Sequence, residues 1–330
     1  MSLPRVLLDR LCLPVVGAPL FIISNPDLVI AQCKAGVVGS FPALNARPPE
    51  ELERWLTRIE TELAEHDRYH AQRRAAPFAV NQIVHRSNRR LEHDLDACVR
   101  HRVPIVITSL GARREVNDAV HAYGGLTLHD VINNSFARKA IEKGADGLIA
   151  VAAGAGGHAG VQSPFALVQE IRQWFDGPLL LSGAIARGAS IIAAQAMGAD
   201  LAYIGSPFIA THEANAALKY KQMIVESSAK DIVYSDFFTG VHGNYLRPSI
   251  VANGLDPDGL PSSQAAQLDL GSLQSGAKAW KDIWGCGQGI GVVDRVVSTA
   301  ELVRRLGEEY VAGVQQIQNA TRAWREKLSV

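Results

Sequence analysis

Short apolar runs alternate with longer amphipathic stretches along this chain, as parallel strands buried on both faces alternate with the helices that cover them. Eight runs read as strands: PVVGAPLF (14–21), GVVGSF (36–41), FAVNQIV (78–84), PIVITSL (104–110), GLTLHDVI (125–132), GLIAVA (147–152), PLLLSGAI (178–185) and LAYIGSPFI (201–209). Helical stretches lie between them, among them 26–36, 49–66, 87–102, 136–145 and 163–175. Ser163 followed by Pro164 reads as an N-cap with proline at the first helical position, where its missing N–H costs nothing. Gly144 and Gly198 stand where a left-handed C-terminal cap is wanted. Eight strand–helix units close a TIM (β/α)8 barrel, whereas open doubly wound sheets usually stop at five or six strands. The pattern therefore predicts an α/β barrel.

After the eighth strand the expected helix is delayed by roughly 65 residues. The predicted organisation is a barrel made of 1–211 and 277–330, with a small, mainly helical inserted domain over 212–276. The insert opens with HEANAALKYKQMIVESS, passes through YSDFFTGVHGNYLRP and enters the turn-rich NGLDPDGLPSS. Emerging at the C-terminal face, where barrel active sites lie, it is placed to serve as a lid or substrate wall. STAELVRRLGEEYVAGVQQIQ then supplies a capped amphipathic helix to close the chain.

Composition adds exclusions. A 330-residue chain that is 47% hydrophobic and 20% charged can bury a barrel-sized core, and its 33 basic and 33 acidic residues cancel. No general attraction to nucleic acid or an anionic membrane follows. Cys12, Cys33, Cys98 and Cys286 lack ligand-like spacing, which argues against a structural zinc site or a disulfide framework and fits a reducing compartment. The N-terminus is broken by Arg5, Asp9, Arg10 and two prolines, so it reads as neither a signal peptide nor a membrane span. A cytoplasmic protein is expected, with homodimerisation left open.

Barrel chemistry hangs from the C-terminal ends of strands. Those ends are Pro19 and Leu20, Asn81, Thr108 and Ser109, His129, the GAGGHAG loop, Ser182 and Gly183, and Gly205 and Ser206. LSGAIARG and YIGSPF put glycines after strands seven and eight, where this fold commonly binds a phosphate; taken singly, Gly183, Gly188 and Gly205 would equally serve tight turns. AVAAGAGGHAG (150–160) matches the dinucleotide pattern only superficially. The next helix starts only near Pro164, and strand seven ends without the acid that pattern needs. GCGQGIG (285–291) follows no convincing strand. His158, the only titratable side chain in its loop, reads as a proton-handling group or as a solvent-facing loop histidine. His129 either faces the pocket or is a hydrogen-bonded core residue. Asn81 either meets the edge of a cofactor ring or satisfies barrel backbone. His85 and His242 have weaker cases.

Together, APL near the start, VNQ on strand three, AGAGGHAG, LSGAIARGASIIAAQAMGADLAYIGSPFIATHEA and GCGQGIG resemble the nitronate monooxygenase family, formerly 2-nitropropane dioxygenases, over about residues 14–310. The resemblance implies an FMN-dependent barrel. It implies His158 as the base toward the acidic carbon of a nitroalkane, and Gly183, Gly205 and Ser206 at the flavin phosphate. Ala18, Pro19 and Asn81 would run along the isoalloxazine ring, and Gln288 with Gly289 would belong to a loop returning to the flavin. Leu20, His129, Gly157 and Ser182 complete the implied cofactor-binding set. Three places depart from the family pattern: Val151 and Gly154 where an acid is frequent, Leu20 in place of methionine, and Asp130 where a basic or small residue is usual. The implied activity is oxidation of alkyl nitronates by molecular oxygen to a carbonyl compound and nitrite. Alternatives are an NAD(P)H:quinone or enoyl reductase on the same scaffold, or a flavin-free phosphate-binding lyase or isomerase. The last usually wants a lysine or paired carboxylates at strand ends, which this chain lacks.

Overall fold

The computed structural model describes residues 3–262 and 280–328. Among the described residues eleven strands follow one another: β1 (Val15–Gly17), β2 (Gly39–Pro42), β3 (Phe78–Ile83), β4 (Ile105–Ser109), β5 (Leu126–Val131), β6 (Gly147–Val151), β7 (Gly157–His158), β8 (Leu179–Ser182), β9 (Leu201–Ile204), β10 (Ile232–Ser235) and β11 (Gly243–Leu246). Eight of them form a parallel sheet in the order β1-β9-β8-β6-β5-β4-β3-β2. Its two edges meet through a parallel bridge between Val16 and Val38, where Gly17 N donates to Val38 O at 2.8 Å. These are the eight strands expected from the apolar runs.

Alternation along the strands separates two apolar layers. Val16, Ala79, Ile105, Ile107, Leu128, Ile149, Leu180, Leu201 and Tyr203 fill the barrel interior. Their neighbours Leu148, Ala150, Leu179, Leu181, Ala202 and Ile204 face outward under the helices. Asn25 and Asn133 cap the helices that follow, their side chains accepting from Leu28 N and Phe136 N. Gly144 (φ 95°) and Gly198 (φ 115°) adopt the left-handed caps expected. Ser163 does not: Pro164 opens its helix, but the serine side chain makes no capping hydrogen bond.

The last helix, Thr299–Leu328, completes the eighth unit by packing beside Pro26–Ala35 and Gly188–Met197. Gly188 makes this close approach possible, because a Cβ there would fall 2.1 Å from Tyr310 N. No helix among the described residues is long and apolar enough to cross a membrane.

The described part of the insert, 212–262, holds the helix Leu218–Glu226 and the helix Arg247–Ala252 but also β10 and β11; residues 263–276 of the predicted insert and 277–279 lie outside the described residues. β10 and β11 pair antiparallel, and β11 pairs in turn with β7, with Gly243 opposite His158. The insert therefore forms a small sheet with the loop that carries the predicted catalytic histidine.

Candidate active site

The C-terminal strand ends open into a cavity of about 1270 Å³. Ala18, Pro19 and Leu20 line it from β1, Asn81 from β3 and His129 from β5. Gly157 and His158 line it from β7, Ser182 and Gly183 from β8, and Gly205 and Ser206 from β9, with Gly289 from the C-terminal loop. Gln288 is the exception among the predicted residues. Its N–H donates to Gly154 O at 2.9 Å, so it braces the GAGG loop from behind rather than reaching the cavity.

The two glycine-rich stretches prove to be one contact. A Cβ on Gly156 would stand 2.7 Å from Gly287 N, and one on Gly289 would stand 2.9 Å from Ala184 C. Backbone packs on backbone here, and Gly287 N also donates to Ser206 Oγ at 2.8 Å. Gly183, at φ 149°, has no room for a side chain, since its Cβ would meet Ala153 O at 2.9 Å. Gly188 serves helix packing instead of an anion, and its N–H is answered by Glu309 Oε2 at 2.9 Å. Gly183 and Gly205 both line the cavity, but only at Gly205 does the missing Cβ leave room, beside Leu20 and Ala18.

His158 is held by its surroundings. Its Nε2 lies 2.9 Å from Thr239 Oγ1, and its ring meets Trp280 edge-on, centroids 5.5 Å apart at 79°. Burial pushes the imidazole down to about 4, so it is neutral near pH 7. His129 satisfies both readings of it. It is a buried residue with Nδ1 2.6 Å from Thr108 Oγ1, burial pushes it down to about 4, and it still forms part of the cavity wall.

Asn81 likewise does both. Its Nδ2 donates to Ile107 O at 3.1 Å and to Ser109 Oγ at 2.7 Å. The amide hydrogens are thus spent on the barrel, leaving Oδ1 as the polar atom available to a ligand. Ser109 Oγ passes its own proton to Asp130 Oδ2 at 2.6 Å. Asp130 is the one carboxylic acid in the cavity wall among the described residues, and its Oδ1 is buried without a partner. Burial pushes this carboxyl up to about 6, partly offset by the Ser109 hydrogen bond. Tyr203, also in the wall, is pushed well above its usual value by burial and by the Asp130 charge.

Backbone strain gathers at the same place. Among the described residues five non-glycine residues have positive φ, and four of them, Ile22 (70°), Leu110 (61°), Ala184 (54°) and Trp280 (66°), line the cavity. Such conformations cost of order 1–3 kcal/mol each and concentrate at functional sites. From the insert, Tyr234, Phe238 and His242 reach the cavity, while Asn244 and Tyr245 lie behind it. Sequence reasoning missed Thr239 and Trp280. Neither stands in a periodic or motif context, and both matter only through contacts with a distant loop.

The family model for nitronate monooxygenase matches residues 43–309. The chain belongs to the nitronate monooxygenase family. Membership makes it an oxidoreductase, in a family that works with flavin. A Paraburkholderia phytofirmans nitronate monooxygenase is 26% identical over 96% of both chains. A Mycobacterium tuberculosis protein named as a monooxygenase is 29% identical over 238 residues, which are 68% of this chain and 64% of that relative. The crystal structure of a nitroalkane oxidase from Streptomyces ansochromogenes matches with a TM-score of 0.81 at 24% identity, covering 94% of this chain and 99% of that one. At that identity the likeness speaks for the fold.

Proposed function

We propose that the protein binds FMN across the C-terminal face of the barrel and oxidises alkyl nitronates with molecular oxygen to a carbonyl compound and nitrite. The observation that carries this reading is the placement of a neutral, half-buried imidazole, His158, in one cavity with the Gly183 and Gly205 loop ends. The residues fit the cofactor. At Gly205 a Cβ would come 3.3 Å from Leu20 Cδ2, so its absence keeps a slot open between β9 and the β1 loop. Ser182 and Ser206 bring hydroxyls to the same end. A cavity of about 1270 Å³ exceeds the roughly 300–1,000 Å³ that holds one drug-sized ligand, which leaves space for a second molecule beside the cofactor.

Gly183, Gly205 and Ser206 would hold the phosphate, with Ala18, Pro19 and Asn81 along the ring. When bound, the flavin supplies the electron chemistry, and the protein supplies orientation and proton handling. His158 takes the α-proton of a neutral nitroalkane, a step that a pre-formed nitronate does not need. Trp280 packs against His158, and Phe238 and Tyr234 add aromatic surface to the same cavity wall.

The purified protein is expected to show a flavin spectrum that bleaches anaerobically with ethyl nitronate and not with NADH. Bleaching with NADH alone, or a colourless protein that takes up no FMN, overturns the reading. His158→Ala is expected to keep FMN, to lose about a hundredfold or more on neutral nitroethane, and to lose less on ethyl nitronate. Equal losses on both substrates contradict the role given to His158.

A further inference from the structure

Beyond the role of His158 as base, the hydrogen bonds around its ring decide which nitrogen does the work. Thr239 Oγ1 lies 3.1 Å from Val241 O as well as 2.9 Å from His158 Nε2. A carbonyl only accepts, so the single hydroxyl proton of Thr239 goes to Val241 O and the same oxygen accepts from the ring. Reversing this would hand the proton to Nε2 and leave Val241 O without a partner among the described residues. Val241 N donates to the second lone pair of the same oxygen at 3.4 Å, and Tyr245 Oη, also at 3.4 Å, is a longer contact than the two that set the ring's partner. His158 Nδ1 has no hydrogen bond to any described residue and is not among the unpartnered atoms sealed from solvent.

We infer that Thr239, a residue of the insert, is a positioning residue that fixes His158 as its Nε2–H tautomer and leaves Nδ1 as the bare nitrogen offered to substrate. Trp280, packed against the ring, opposes its rotation, and pairing of the His158 backbone with Gly243 in the β7–β11 ladder fixes where the side chain starts. In the proton transfer, which rests on the nitronate reading above, the α C–H bond of a neutral nitroalkane breaks and its proton goes to Nδ1. The electron pair moves into the nitro group, giving the nitronate. The imidazolium keeps its Nε2–H on Thr239 Oγ1 and later releases the Nδ1 proton to solvent. No oxidant takes part in this step. A chain with an unlocked ring would present N–H to the substrate for part of the time, and a protonated nitrogen accepts no proton.

The test has one arm that needs no flavin. In the full-length protein labelled with 15N-histidine, with the His158 signals assigned by their loss in His158→Asn, Nε2 is expected at a pyrrole-type and Nδ1 at a pyridine-type shift at pH 7. Thr239→Val is expected to move both toward averaged values, and Thr239→Ser to restore them. A wild-type ring protonated on Nδ1 overturns the inference without reference to any variant. The second arm is kinetic. Thr239→Val is expected to lose about tenfold in kcat/KM on nitroethane, the order of one hydrogen bond, with a smaller loss on ethyl nitronate and recovery in Thr239→Ser. Equal losses on the two substrates, or no recovery with serine, also overturn it. A protein inert toward both substrates would sink the nitronate reading, while the tautomer measurement would still decide the role of Thr239.

Discussion

Asp130 offers the sharpest quantitative test of the site. Its carboxyl lies in the cavity wall with one oxygen on Ser109 and the other without a partner, and burial raises it from 3.8 to about 6. At about 1.36 kcal/mol for each tenfold change in proton affinity, keeping the folded protein's carboxylate ionised costs about 3 kcal/mol. The sign follows from the raised value. Folding binds a proton at Asp130, so its stabilising contribution is complete below 3.8 and is lost as pH climbs through about 6. Asp130→Asn removes the titration while keeping a group that can meet Ser109. His129 and His158 titrate in both proteins and drop out of the difference, and Tyr203, the facing phenol from β9, stays neutral throughout. Urea unfolding of the flavin-free wild type and variant between pH 4 and pH 7.5 is the assay, since bound flavin would add its own linkage. The stability gap between them is expected to shift by about 3 kcal/mol in favour of the variant as pH rises, with most of the change between 4 and 6. A gap that stays constant across this range would refute the claim that Asp130 is ionised at a cost. If the cost is real, the chain carries it inside a ligand-sized cavity, where perturbed acids serve binding or proton transfer more often than stability.

Two further outcomes follow from the geometry. Gly205→Val keeps an allowed backbone, because φ there is −113°, but fills the slot beside Leu20 and Ala18; FMN affinity measured by flavin fluorescence should fall at least about tenfold, near 1.4 kcal/mol, and unchanged affinity would move the phosphate site elsewhere. Arg172 donates to Asp200 Oδ2, Gly198 O, Phe175 O and Gly177 O, with both partners of the ion pair largely buried. Arg172→Ala should cost about 3–5 kcal/mol in chemical denaturation, with the turnover of the folded protein unaltered, and a loss under about 1 kcal/mol would show that the pair is replaceable.

The barrel was legible because strands buried on both faces read as uninterrupted apolar runs, and eight such runs admit few topologies. The same signal overshot at the ends. LAYIGSPFI reads as one strand, yet β9 stops at Ile204 and Ser206–Ile209 turns helical, since an apolar run alone does not separate strand from buried helix. Strand ends gave the cavity wall for the same topological reason, and Gln288 went astray because a glycine loop does not announce which of its residues faces in. The pairing of β11 with β7 left no trace in the pattern. β7 is two residues long inside a glycine loop, and its partner lies beyond two barrel strands in the chain. Thr239 was hidden likewise, since its meaning lies in a hydrogen bond to a residue far away in sequence.

That pairing also explains how the imidazole proposed as the base is held in so featureless a loop. GAGGHAG has almost no side chains with which to pack, and each glycine pays a high entropic cost to be ordered. Order must come from neighbours. The C-terminal loop supplies backbone contacts at Gly156, and the insert supplies the rest: Asn244 Nδ2 donates to Ala155 O at 2.6 Å, Tyr234 Oη donates to Ala159 O at 2.9 Å, and β11 pairs with His158 itself. The small side chains leave the barrel mouth open, while segments outside the barrel hold the imidazole at the cavity wall. Substitutions in the insert are therefore placed to move the His158 ring without touching the strands that form the rest of the cavity wall, in keeping with function carried by segments grafted on a fold.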